Sequence, residues 1–318
     1  MQMNSNRKQI VVGVLRQGSK VLLSVRQKHQ AYADYWEFPG GKVESGEAFE
    51  EALKREFQEE VGVETHSWQP LIQIPWDYEH ASVVLNVFVS EEFIGEPHGK
   101  EGQTVAWVET RELDNYRFPE ANAGVVSALR LPDAMMITGA FADQHDALAK
   151  LDAALLDGVR LVQLRAKKME EADFIEFAKI AIHKIHGHGG TVLINGKPEW
   201  LDLLPEADGL QLASTELMHW SERPVPEDKL LSVSTHNALE IAKALELGAN
   251  MILLSPVKPT SSHPDMEALG WQSFQSLIQN VPVPVYALGG MKASDITEAK
   301  RYGAQGVAAI SSFWPSTI

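Results

Sequence analysis

Residues 9–15 and 20–26 are two strand-like apolar runs, and Gln17-Gly18-Ser19 between them has turn chemistry, so the pair predicts a β-hairpin. A loop follows, and Glu37-Phe38-Pro39-Gly40-Gly41-Lys42 closes it with two glycines that free the backbone for close ligand approach. The period then changes to that of a helix over residues 46–61, with Ser45 as its expected N-cap and Gly62 as its stop. Further strands are expected at 68–74, 81–90 and 104–108, and a second helix at 121–129.

The pattern changes around residues 131–134, where Leu131-Pro132-Asp133 has turn chemistry. Beyond it, eight strand-like runs recur at 135–139, 160–166, 191–195, 209–213, 230–235, 251–255, 283–288 and 306–311, with helical stretches between them. Strands alternating with helices predict a parallel sheet, and eight such units predict a small (β/α)8 TIM barrel. After the eighth strand too few residues follow for an eighth helix, so the barrel is expected to lack its last helix. The reading is of two domains, residues 1–131 with an α+β pattern and 132–318 with an α/β one.

Composition narrows the chemistry. The chain has 318 residues, 44% hydrophobic and 22% charged, enough for two cores. It has no cysteine, which excludes disulfides, thiolate nucleophiles, zinc ribbons and iron–sulfur clusters and is compatible with a cytoplasmic protein. The formal charge of −15, from 28 basic and 43 acidic residues, argues against long nucleic acid as a partner. A nucleotide is still admissible, because a metal ion offsets its phosphate charge. No stretch of about 18 apolar residues exists, so no membrane span is expected. The run at 10–15 behind Arg7 and Lys8 is too short for a signal segment.

The strongest local signal is Gly41-x5-Glu47-x7-Arg55-Glu56-Phe57-Gln58-Glu59-Glu60-Val61-Gly62-Val63. Glu56, Glu59 and Glu60 stand at i, i+3 and i+4 and share one helix face. Three carboxylates there repel one another, and a hard divalent cation such as Mg2+ (or Mn2+) supplies the missing charge. Carbonyls of Gly40 or Gly41 are further candidate ligands, and Arg55 is expected to point roughly away from that face and to pair with Glu47.

This pattern resembles the Nudix box of Nudix pyrophosphohydrolases, which implies an α/β/α sandwich. The resemblance extends over about residues 8–131 to the MutT-type 8-oxo-dGTP diphosphatases. It implies metal binding by Glu56, Glu59, Glu60 and Glu101, with Glu56 or Glu101 acting on the attacking water. It also implies a nucleotide site at Arg26, Glu37, Phe38, Pro39, Gly40 and Asn122. Phe38 offers an apolar contact for the base, and the Asn122 amide has both a donor and an acceptor for a purine edge. The segment Asp77-Tyr78-Glu79-His80-Ala81 lacks the Asp-Arg pair of those enzymes, and Ala31 replaces a histidine.

Residues 133–314 resemble the thiamine phosphate synthase/TenI superfamily through Val162-Gln163-Leu164-Arg165-Ala166-Lys167, Leu193-Ile194-Asn195, Val233-Ser234-Thr235-His236, Ser255-Pro256-Val257, Ala287-Leu288-Gly289-Gly290-Met291 and Ala309-Ile310-Ser311-Ser312. These fall at C-terminal ends of predicted strands, where barrel sites are built. The resemblance implies a phosphate-bearing thiazole or pyrimidine ligand held by Gln163, Arg165, Lys167, Asn195, Ser234, His236, Gly289, Gly290, Ser311 and Ser312. Against the synthase pattern, Asn195-Gly196-Lys197 and Ala213-Ser214-Thr215-Glu216 stand where two metal-binding aspartates belong, and Thr260-Ser261-Ser262-His263 where a loop ends in lysine. The barrel is therefore expected to be degenerate as a synthase. His183, His186 and His188 cluster near a helix end without an acidic neighbour, as helix-end histidines rather than a zinc site.

The expected function is Mg2+-dependent hydrolysis of 8-oxo-dGTP, a small nucleotide, to the monophosphate and pyrophosphate. The alternative is a thiamine-pathway role: thiazole tautomerase or residual synthase chemistry in the barrel, or hydrolysis of a thiamine-precursor pyrophosphate. A homodimer is a further expectation.

Overall fold

The structure is a computed structural model that describes residues 7–79, 81–260 and 266–316. His80, Ser261, Ser262 and His263 lie outside the described residues. The chain forms two compact units: residues up to Arg130 with Asn280–Val283, and Leu131–Gln279 with the remainder from Pro284.

The first unit contains β1 (Lys8–Gln17), β2 (Lys20–Val25), β3 (Trp36–Glu37), β4 (Gly40–Lys42), α1 (Phe49–Glu60), β5 (Glu64–His66), β6 (Gln69–Tyr78), β7 (Ala81–Ser90), β8 (Glu92–Ile94), β9 (Val105–Glu109) and α2 (Ala123–Arg130). β1 and β2 form the expected hairpin, with Gln17 opposite Lys20. β1 also pairs parallel to β7 over eight residues and antiparallel to β4, so it lies at the centre of a mixed seven-stranded sheet. Its side chains alternate between two cores, as period 2 requires. Val11 and Leu15 pack with Ala52, Leu53 and Phe57 of α1. Val12 and Val14 pack with Val125 and Leu129 of α2. The two helices thus cover opposite faces, which makes the α/β/α sandwich.

In the second unit, β10 (Ala134–Ile137), β11 (Leu161–Leu164), β12 (Thr191–Asn195), β13 (Gly209–Leu212), β14 (Leu230–Thr235), β15 (Met251–Leu254), β16 (Val285–Leu288) and β17 (Gly306–Ala309) form a closed barrel. β17 pairs parallel to β10, Ala134 opposite Val307, and closes it. Met135, Ile137, Leu161, Leu193, Met251, Leu253, Tyr286 and Ala308 fill the interior, the layered core of such barrels. The helices α3 (Gln144–Leu156), α4 (Glu171–Gly187), α5 (Trp200–Leu203), α6 (Ser214–Leu217), α7 (Ala238–Glu246), α8 (Gly270–Ile278) and α9 (Ile296–Arg301) stand between the strands. No helix follows β17 among the described residues. There Trp314, 4% exposed, donates its indole N–H to the Ala140 carbonyl at 3.0 Å, and a Cβ on Gly139 would stand 2.7 Å from its ring. No helix among the described residues is long and apolar enough to cross a membrane.

Candidate functional site

α1 starts later than its sequence suggests. The N-cap is Ala48, extended at φ −77° and ψ 152°, and not Ser45. Gly46, at φ 85°, turns the chain just before it. The Ala48 amide donates to the Glu51 carboxylate at 3.0 Å, the half of a capping box that satisfies the N-cap's own amide; Ala48 has no side-chain oxygen to supply the other half. Gly62 ends the helix at φ 70° as expected.

The face of α1 that carries the glutamates meets the turn between β3 and β4. A Cβ on Gly41 would stand 2.1 Å from Glu56 Oε1, so only glycine admits the carboxylate there. The Gly40 amide donates to Glu60 Oε2 at 3.3 Å. Arg55 organises the flank of this site. It donates to both oxygens of Glu47, at 2.9 and 3.1 Å, as its spacing suggested, and to the Lys42 carbonyl at 3.0 Å. It also donates to Glu56 Oε1 at 2.8 Å and to Glu59 Oε2 at 3.4 Å, which corrects the expectation that Arg55 points away from the glutamate face: its long side chain reaches back along the helix to the next residue and the next turn.

The electrostatics separate the glutamates. Burial pushes the Glu60 carboxyl up to about 8, with Glu56, Glu37 and Glu101 raising it further and the Gly40 amide lowering it. Burial also raises Glu56, against the pull of Arg55. Glu47 is lowered by its hydrogen bonds from Arg55. Glu59 is largely exposed and leans toward Arg55. Glu101 lies in an exposed loop. That loop is docked on the end of α1 by the Lys100 amide to the Glu60 carbonyl at 2.9 Å and by Gln103 Nε2 to the same oxygen at 2.9 Å. Among the described residues no three His, Asp or Glu side chains converge as a finished metal cage. The donor set nevertheless suits a hard cation: oxygen ligands, and a buried carboxyl crowded by other carboxylates with one weak amide bond.

Arg26, Glu37, Phe38, Pro39 and Asn122 lie in this unit with unequal accessibility. Arg26 Nη1 donates to Glu37, and Arg26 Nε donates to the Ala31 carbonyl at 2.7 Å. Burial raises the Glu37 carboxyl while Arg26 lowers it. Phe38 is 3% exposed and stacks on Phe118 with centroids 5.6 Å apart, so it faces the core. Pro39 is buried too. Asn122 is buried in a short 3-10 turn after Pro119, and its side-chain amide enters no hydrogen bond among the described residues. Sequence reasoning missed the Arg26–Glu37 pair, because only the pairing of β2 with β3 brings the two together.

In the second unit the parallel strands put Gln163, Arg165, Lys167, Asn195, Ser234, His236, Gly289, Gly290, Ser311 and Ser312 within or just beyond their C-terminal ends, on one rim. Gln163 is 3% exposed and its Oε1 has no hydrogen-bond partner among the described residues. Arg165 is half-buried and forms no ion pair among the described residues; burial lowers its pKa. Lys197 is engaged by Glu171 at 2.8 Å. Gly289 and Gly290 turn at φ 92° and 65°. Ser312 Oγ accepts from the Ala293 amide at 2.8 Å. The His236 ring is held at both nitrogens: Nδ1 lies 2.8 Å from the Ser255 carbonyl, which makes it the donor, and Nε2 lies 3.1 Å from Ser214 Oγ. Neither Ser214 nor Ser255 was given a ligand role from the sequence; the side-by-side pairing of β13, β14 and β15 brings both to His236.

The histidine cluster needs one correction. His186 does have an acidic partner, Asp208, with Nε2 2.9 Å from Oδ2. Asp208 is distant in sequence and reaches the helix end through the β12–β13 connection, where it also accepts from the Val192 amide at 2.7 Å. His188 bonds the Lys184 carbonyl.

Comparison with known proteins accounts for both units. A family model described as NUDIX domain matches residues 11–128, and one described as thiamine monophosphate synthase matches residues 134–313. An 8-oxo-dGTP diphosphatase of Haemophilus influenzae is 38% identical over 122 residues, 38% of this chain and 90% of that protein. The chain belongs to the Nudix family through its first unit and to the thiamine monophosphate synthase family through its second. Among Nudix relatives, an 8-oxo-dGTP diphosphatase of Escherichia coli is 36% identical over 123 residues, 38% of this chain and 95% of that protein. Among synthase-family relatives, a thiamine-phosphate synthase of Chloroflexus aurantiacus is 29% identical over 164 residues, 51% of this chain and 76% of that protein. The Nudix unit is that of a hydrolase. The synthase-family barrel keeps its rim but carries Asn195-Gly196-Lys197 and Ser214-Thr215-Glu216 after β12 and β13, in keeping with a degenerate barrel.

Proposed function

We propose that the Nudix unit hydrolyses 8-oxo-dGTP to 8-oxo-dGMP and pyrophosphate in a Mg2+-dependent reaction, in the cytoplasm. The observation that carries the reading is the packing of Glu56 and Glu60 against Gly40 and Gly41, with Glu60 crowded by carboxylates and short of positive charge. The names of its diphosphatase relatives supply the nucleotide.

In this reading Glu56, Glu59, Glu60 and Glu101, with a carbonyl of Gly40 or Gly41, hold the divalent ion. When bound, such an ion would screen charge on the phosphoryl oxygens and make water easier to deprotonate. Arg55 fixes Glu56 in place, so its free oxygen is aimed by the Nη1 bond. Glu56 or Glu101 orients the water and takes its proton as the water's oxygen bonds to the β-phosphorus. The bond from that phosphorus to the bridging oxygen breaks, and the nucleoside monophosphate leaves. Arg26, Glu37 and Asn122 contact the nucleoside, with Asn122 offering its unspent amide to the purine edge.

Pyrophosphate release by wild type and by Glu56→Gln, with and without Mg2+, tests this. The expected result is a loss of kcat by at least about a hundredfold in the variant or without metal. Undiminished release in Glu56→Gln removes it from the chemistry.

A second reading, for the barrel, is favoured by the unpartnered Gln163 Oε1 beside the unpaired Arg165. It is a site for a phosphate-bearing thiazole or pyrimidine, with His236 positioned as an acid–base group. Titration with a thiazole phosphate, followed by assay of His236→Ala for tautomerisation, tests it. No heat of binding to wild type refutes it.

A further inference from the structure

A cavity of about 400 Å³ in the Nudix unit is lined by Tyr32, Trp76, Asp77, Tyr78, Glu79 and Glu120. Neither the metal-site glutamates nor Arg26, Phe38 and Asn122 line it. Its volume suits a nucleobase with part of its sugar. Its walls combine flat aromatic surface with carboxylates, and among the described residues no lining side chain is a cation, so it suits a base better than a phosphate. Tyr32 and Tyr78 stand 5.9 Å apart in a tilted pair, and Trp76 stands 6.4 Å from Tyr78.

One wall is held deliberately. Tyr32 has φ 59°, a left-handed backbone that L side chains rarely adopt. Its hydroxyl donates to Glu120 Oε2 at 3.0 Å. This bond ties the loop after Arg26 to the turn Glu120–Asn122, which carries Asn122. The bond leaves Glu120 Oε1 with its lone pairs to offer. Asp77 is already engaged by Arg7 at 2.7 Å. The cavity also lies near the Arg26–Glu37 pair: Arg26 Nε donates to the carbonyl of Ala31, the residue before Tyr32, at 2.7 Å.

A carboxylate on an aromatic wall discriminates among bases. A guanine-type Watson–Crick edge presents N1–H and the N2 amino group as adjacent donors, which a carboxylate accepts together. On the other common bases a donor is flanked by an acceptor, which repels it. We infer that Tyr32, Trp76 and Tyr78 stack the base of the substrate, and that Glu120, positioned by Tyr32, accepts from the N1–H and N2 amino group of an 8-oxoguanine-type purine. The inference rests on the nucleotide reading of the Nudix unit and adds a determinant of base choice to it.

The test compares 8-oxo-dGTP with 8-oxo-dITP, which lacks only the N2 amino group, in the full chain. Wild type is expected to favour 8-oxo-dGTP at least tenfold in kcat/KM. Glu120→Ala is expected to reduce that preference to within about twofold, mainly through KM for 8-oxo-dGTP, and Tyr32→Phe to reduce it partway. Calorimetric binding of 8-oxo-dGMP and 8-oxo-dIMP, independent of turnover, is expected to follow the same order. If wild type turns over 8-oxo-dGTP and Glu120→Ala keeps the full preference, the inference is overturned while the hydrolase reading stands. If wild type neither binds nor hydrolyses either purine, the nucleotide reading falls and this inference with it.

Discussion

Arg55 grips Glu47 through two hydrogen bonds, Nε to Oε1 at 2.9 Å and Nη2 to Oε2 at 3.1 Å, across the turn that leads into α1. The same guanidinium bonds Glu56 and the Lys42 carbonyl, so one cation sets the glycine turn, the helix and the Glu56 carboxylate in register. Lysine keeps the charge but cannot reproduce the fork. Arg55→Lys is expected to cost about 1–2 kcal/mol in thermal unfolding and to lower kcat by at least about tenfold, with a smaller effect on KM. Unfolding curves and steady-state kinetics on the same preparation check both.

Gly41 is a second point of leverage. Any side chain there meets the Glu56 carboxylate. Gly41→Ala is expected to displace Glu56 and reduce kcat by about a hundredfold or more, while the circular dichroism spectrum of the full chain stays that of wild type.

Glu60 makes stability depend on pH. Its folded-state pKa is raised to about 8, so the metal-free folded form prefers the protonated acid. The stabilisation is complete below the ordinary carboxylate range and is lost as pH rises toward 8. Glu60→Gln removes this slope. The metal-free variant is expected to be more stable than wild type by about 2 kcal/mol at pH 8 and equal to it near pH 4. Added Mg2+ is expected to stabilise wild type and leave Glu60→Gln nearly unchanged. Denaturant titrations at several pH values, with chelator or with Mg2+, check both.

Gln163 holds a buried oxygen without a partner among the described residues, an arrangement that costs stability unless a ligand offsets it. Gln163→Leu is expected to raise unfolding stability by about 1 kcal/mol and to weaken binding of a thiazole or pyrimidine phosphate, leaving 8-oxo-dGTP hydrolysis unchanged. Calorimetry and the hydrolysis assay on one variant separate these effects.

The sequence made much of this legible. The eight barrel strands follow from recurring short apolar runs, and closure leaves their pairing no alternative. The facing of Glu56 and Glu60 follows from helical spacing, and the Arg55–Glu47 pair from their separation. Pairings between distant segments were not legible. The Tyr32–Glu120 bond and the His236–Ser214 contact each join segments that only tertiary structure brings together. The start of α1 was misread because Ser45 looks like a cap, whereas Gly46 turns the chain and Glu51 caps from inside the helix. Phe38 was read as a contact for the base, and the structure seats it in the core on Phe118.

The central claim is that the Nudix unit selects oxidised guanine nucleotide, and the ratio of kcat/KM for 8-oxo-dGTP over dGTP, read as pyrophosphate released in Mg2+, tests it most directly. The account predicts a ratio of at least about a hundred, with pyrophosphate and monophosphate formed in equal amounts. A ratio near one, or release of orthophosphate in place of pyrophosphate, would contradict it.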